Sequence, residues 1–168
     1  FRVSPAKPER AAWQEIIPED PVAKLDRVTI VGGHLALEYQ RDAATELRVA
    51  TLEGKPVRTV ALPGLGEASN LVALEDQDEA FFAFSSFTTP RQLYKTSVAS
   101  GKVELWAKVE MPVDTDLYTV QQVFYPSKDG TKIPMFLVHR KDVKRDGQRP
   151  TLLTGYGGFN VSMQPSFR

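Results

Sequence analysis

The sequence predicts a mostly β chain whose residues 1–111 have the organisation of propeller blades and whose residues 112–168 follow a different β plan. Three observations carry this. Short strand signals alternate with turn signals from about residue 24 onward. The pattern recurs at roughly 46 residues, with Leu47 aligned to Leu93 and Gly54 to Gly101. After Met111-Pro112 the strand candidates lengthen.

The first 22 or so residues are rich in proline and charge and read as an outer strand and a connecting loop. Arg27 to Val31 is then a strand signal that meets Gly32-Gly33, a two-residue hairpin loop, and His34 to Tyr39 forms the returning strand. Glu46 to Leu52 alternates and ends at Glu53-Gly54-Lys55, and a fourth strand is expected over Val57 to Leu62. The second set is expected over Asn70 to Leu74, Ala80 to Phe84, Gln92 to Val98 and Val103 to Ala107. Four short strands per repeat is the plan of a propeller blade, and one blade needs neighbours to bury both of its faces.

Tyr118 to Tyr125 is a long strand candidate, Lys128-Asp129-Gly130-Thr131 a turn, and Ile133 to His139 a second strand in which Pro134 favours an edge. Asp142 to Pro150 is a charged loop. Thr151-Leu152-Leu153 reads as a short apolar strand, as expected inside a sheet covered on both faces. Strand, hairpin, strand, loop, buried strand and Gly-rich loop together resemble the opening of an α/β-hydrolase domain, with a boundary near residue 111.

Composition removes several function classes. Lys plus Arg and Asp plus Glu are each 21, so the formal net charge is zero, and the charges are interspersed. That argues against nucleic acid or an anionic membrane surface as the main partner. No run reaches the ~18 consecutive apolar residues of a membrane span. Cysteine is absent, which excludes disulfides and thiolate metal sites. No phosphate loop or dinucleotide fingerprint occurs, and no cofactor is expected. The i,i+2 pairs Asp76/Asp78 and Asp114/Asp116 lack the further oxygen ligands of a calcium loop and read as solvated turns.

The stretch with chemistry in it is Thr154-Gly155-Tyr156-Gly157-Gly158-Phe159-Asn160. Three glycines around one tyrosine allow a sharp turn that presents a phenol at a strand end. Such a hydroxyl can donate a hydrogen bond to a ligand that approaches closely. With the upstream block Phe124 to Phe136, this loop resembles the prolyl oligopeptidase family of serine peptidases, and Phe84-Ser85-Ser86-Phe87-Thr88-Thr89-Pro90 is similar to that family's last blade. The resemblance covers residues 80–168 well and is looser before them. The related oligopeptidase B motif lacks the ending seen at Gly158-Phe159-Asn160, which favours the proline-specific branch.

The resemblance implies a serine endopeptidase that cleaves short peptides on the carboxyl side of proline. It implies that Tyr156 donates to the oxyanion, beside a backbone N–H next to the serine, and that Phe159 lines the proline pocket. It also implies that all three triad members lie outside this chain. No Gly-x-Ser-x-Gly elbow is present, and Ser69 lies in a turn without a base. His34 and His139 read as structural or solvated. Asn160-Val161-Ser162 fits the glycosylation sequon, but a glycan there would block the loop, so it reads as coincidence. The full-length protein is expected to be a monomer, cytoplasmic or else periplasmic, and this piece by itself is expected to hydrolyse nothing. The alternative is a non-catalytic β-propeller interaction module.

Overall fold

The computed structural model describes residues 1–159 and 161–167. Among the described residues, ten strands form three antiparallel sheets. The first sheet is β1 (Lys24–Val31), β2 (His34–Arg41), β3 (Ala44–Thr51) and β4 (Pro56–Thr59), side by side in chain order. The second repeats the plan with β5 (Glu67–Ala68), β6 (Glu79–Ser85), β7 (Gln92–Ser97) and β8 (Val103–Lys108). The third is a hairpin of β9 (Tyr118–Pro126) and β10 (Lys132–Arg140).

Turn chemistry fixes the meander. Gly32 and Gly33 both have positive φ, 51° and 68°, as a two-residue hairpin loop requires. Between β2 and β3 the same conformation is taken by Asp42 and Ala43, at 50° and 60°, without a glycine. The faces of the first and second sheets turned toward each other make the main core. Val31, Ala36, Leu47 and Val49 of the first sheet, with Val60 just after β4, form one cluster with Ala80, Phe82 and Phe84 of the second and with Leu71 and Val98 beside its strands. Phe82 stacks on Tyr94 at 5.3 Å, which fills the centre of this layer.

The other face of the first sheet is covered by the chain before β1. Ile17 and Ala23 pack against Leu37, Tyr39 and Ala50. The tuck is close: a side-chain carbon on Gly54 would stand 1.9 Å from the Ile16 carbonyl oxygen. The far face of the second sheet is open. Leu93 there is 43% exposed and Trp106 60%. Leu93 follows Leu47 at the 46-residue spacing; Leu47 is covered by the next sheet, and Leu93 faces outward.

Two expected strands are corrected. The first strand of the second sheet is Glu67–Ala68 rather than Asn70 to Leu74, where a single bridge, Val72 to Phe81, remains. The side chain of Asn70 competes for the backbone. Its amide donates to Thr29 Oγ1 and the Ala36 carbonyl, and its Oδ1 accepts from Leu71 N. Thr151-Leu152-Leu153 is neither a strand nor buried, with Leu152 89% and Leu153 81% exposed. β9 and β10 pair only with each other, so among the described residues no third strand receives this segment. The fourth strand also stops early, at Thr59, although Val60 N still donates to Leu47 O at 2.8 Å.

Candidate functional site

The Gly-rich loop leaves the β9–β10 hairpin through the charged segment 141–150 and carries Tyr156 and Phe159 on irregular backbone. Tyr156 is 52% exposed and its phenol end lies over Gly158. Phe159 is 93% exposed and holds a positive φ of 53°. A left-handed phenylalanine is uncommon and strained, whereas Gly155, Gly157 and Gly158 all lie outside that region. The sharp turn expected from the glycines is therefore made at Phe159. Asn160, the sequon residue, lies outside the described residues.

Beyond the loop the chain returns to the sheets. Val161 N donates to Gly158 O at 3.1 Å, closing the turn. Pro165 is fully buried, and its carbonyl accepts from Glu67 N at 3.2 Å. Phe167 N donates to Ser85 Oγ at 3.0 Å, and Thr45 Oγ1 donates to Gln164 Oε1 at 3.4 Å.

Between this returning segment and the sheets lies a cavity of about 450 Å³. Arg27, Glu38, Glu67 and Arg91 bring charge to its wall, with Val161 and Met163 on the other side. Arg27 and Glu38 are cross-strand partners, with Arg27 Nε 3.9 Å from Glu38 Oε2. Burial raises the Glu38 carboxyl above its usual range, and the Arg27 charge pulls it back only in part. These four residues come from different elements, and sequence reasoning missed them. The one available signal was Glu38, a charge inside the apolar run Leu35-Ala36-Leu37-Glu38-Tyr39.

The other candidates have structural work. Ser69 Oγ accepts from Ala83 N at 2.9 Å. His34 Nδ1 donates to Gly32 O at 2.7 Å and braces the hairpin turn. His139 Nδ1 donates to Arg140 O at 2.8 Å, which leaves Nε2 to accept from Arg145 at 3.1 Å. Asp114 accepts from Asp116 N at 3.0 Å and Asp78 from Ala99 N at 2.6 Å, so both aspartates brace backbone turns.

Consecutive four-stranded antiparallel sheets, stacked face to face and connected in chain order, define this as part of a β-propeller. The family model described as the prolyl oligopeptidase N-terminal β-propeller domain matches residues 1–109. The prolyl endopeptidase of Elizabethkingia miricola is 38% identical over 160 residues, covering 95% of this chain and 22% of that protein. A solved structure from work on two prolyl endopeptidases and the role of inter-domain dynamics is 68% identical, with a TM-score of 0.89 over 99% of this chain and 24% of its own. Prolyl oligopeptidase B of Galerina marginata, bound to a 35mer hydrolysis and macrocyclization substrate, is 31% identical with a TM-score of 0.80, covering 92% of this chain and 22% of its own.

The chain belongs to the prolyl oligopeptidase family. It spans less than a quarter of the length of these relatives.

Proposed function

We propose that this chain is part of a serine endopeptidase that hydrolyses short peptides on the carboxyl side of proline. Residues 1–111 would be the closing blades of its propeller, and 112–168 the opening of its α/β-hydrolase domain. The serine, aspartate and histidine of the triad would come from the rest of the protein.

In this reading the serine oxygen attacks the carbonyl carbon of the substrate proline itself, and that carbonyl's oxygen gains negative charge until the bond to the following amine breaks. The Tyr156 hydroxyl donates to that oxygen, and one such donor is worth about 10²–10³ in rate. Phe159 offers a flat apolar surface to the pyrrolidine ring of the substrate. The observation that carries the reading is the exposed phenol of Tyr156, held in a Gly-rich loop of a chain of this family. Peptide substrates are also bound by the Galerina marginata relative.

The test is hydrolysis by the full-length protein of a chromogenic peptide with proline before the reporter, against its alanine and arginine counterparts. Release from the proline peptide alone, abolished by a serine-reactive phosphonate, is expected. Failure to cleave it, or equal cleavage after arginine, would refute the assignment.

A further inference from the structure

The three glycines around Tyr156 are not equivalent. A side-chain carbon on Gly155 or on Gly157 would meet nothing within 4 Å. One on Gly158 would stand 3.1 Å from the Tyr156 hydroxyl oxygen and 3.2 Å from its Cζ, closer than the 3.4–4 Å of ordinary contact. Gly158 does not occupy the left-handed region, so its backbone conformation alone makes no demand for glycine. What a side chain there would crowd is the phenol.

Gly158 is also fixed in place. Its carbonyl accepts from Val161 N, and the segment after Val161 is anchored through the buried Pro165. The bare Cα of Gly158 is therefore a floor under the hydroxyl end of Tyr156. An added methyl would meet the free end of the ring, which would give by a few tenths of an ångström or swing away. An oxyanion donor works within a narrow range of distance, about 2.7–3.1 Å, so a shift of that size weakens the bond.

We propose that Gly158 is a positioning residue, whose missing side chain sets where the Tyr156 hydroxyl stands. This rests on the reading of Tyr156 as oxyanion donor and adds the residue that aims it.

The test is a double-mutant cycle in the full-length enzyme on the proline chromogenic peptide. Gly158→Ala is expected to lower kcat about tenfold, less than loss of the whole donor, with KM and unfolding temperature unchanged. In the Tyr156→Phe background, Gly158→Ala is expected to cost nothing further. Gly157→Ala, which meets open space, is expected to lose less kcat than Gly158→Ala.

The same kcat loss from Gly158→Ala in both backgrounds would overturn the inference, as would equal losses at the two glycines. Loss of the folded state in Gly158→Ala would also overturn it, because displacing a free ring end does not unfold a protein. A Tyr156→Phe variant with unchanged kcat would instead sink the oxyanion reading itself, which the cycle reports separately.

Discussion

The ring of Phe87, in the loop between β6 and β7, meets the ring of Phe136 in β10 with centroids 5.6 Å apart and planes at 62°. Nearby, the Gln122 side-chain amide of β9 donates to the Asp42 carbonyl between β2 and β3 at 2.6 Å. The hairpin that leads to the Gly-rich loop is thus held to one end of both four-stranded sheets. Such an aromatic pair contributes about 0.5–1.5 kcal/mol beyond its buried area.

We expect Phe87→Ala and Phe136→Ala each to speed amide exchange in β9 and β10, by about tenfold for ~1.4 kcal/mol lost. The double variant should lose less than the sum of the two, by the coupling energy. Strict additivity in hydrogen exchange would show that the rings do not hold the hairpin.

The turn that accepts from Gln122 is strained. Ala43 has φ of 60°, a conformation that costs an L-residue roughly 1–2 kcal/mol. Glycine removes that cost but adds about 0.4–1 kcal/mol of unfolded-state entropy. The strain term is the larger, so Ala43→Gly should stabilise the fold by about 0.5–1 kcal/mol. A shift of the denaturation midpoint upward is the expected result; a downward shift would contradict it.

Acid should loosen the segment before β1. Asp20 Oδ2 lies 2.7 Å from Arg48 Nη1, and the guanidinium of Arg48 sits 4.1 Å from the centre of the Tyr39 ring. Asp20 Oδ1 accepts from the amides of Val22 and Ala23 at 3.0 and 3.1 Å. The Arg48 bond, then the Val22 amide, hold the Asp20 carboxyl below its usual 3.8. The stabilisation is therefore complete above that value and is lost as pH falls through the lower, folded-state value. Exchange protection of the Val22 and Ala23 amides should fall in acid, and Asp20→Asn should make it insensitive to pH. Protection that stays constant down to about pH 2 would exclude the mechanism.

Much of the fold is legible in the sequence because hydrophobic alternation and turn residues are local. Gly32-Gly33 marks its hairpin, and the 46-residue recurrence places β3 and β7 in equivalent positions. The misses arise where side chains or partners decide. Asn70 bonds backbone from its side chain, so 70–74 gives up its ladder. Thr151 to Leu153 is apolar enough for a buried strand, but a strand needs an edge to join. Tyr156 and Phe159 are singled out by the loop motif and their roles are proposals, whereas the cavity lined by Arg27, Glu38, Glu67 and Arg91, to which neither contributes, comes together only through folding. The distribution of strain was equally hidden: three glycines suggest a glycine turn, yet the left-handed residue is Phe159.

The measurement that bears most directly on the central claim is kcat of full-length Tyr156→Phe on a proline-containing chromogenic peptide. Removing one hydroxyl leaves the ring and its packing in place. If that hydroxyl meets charge that develops only in the transition state, kcat falls about 10²–10³-fold and KM changes little. An unchanged kcat, or a loss confined to KM, would contradict the role assigned to Tyr156.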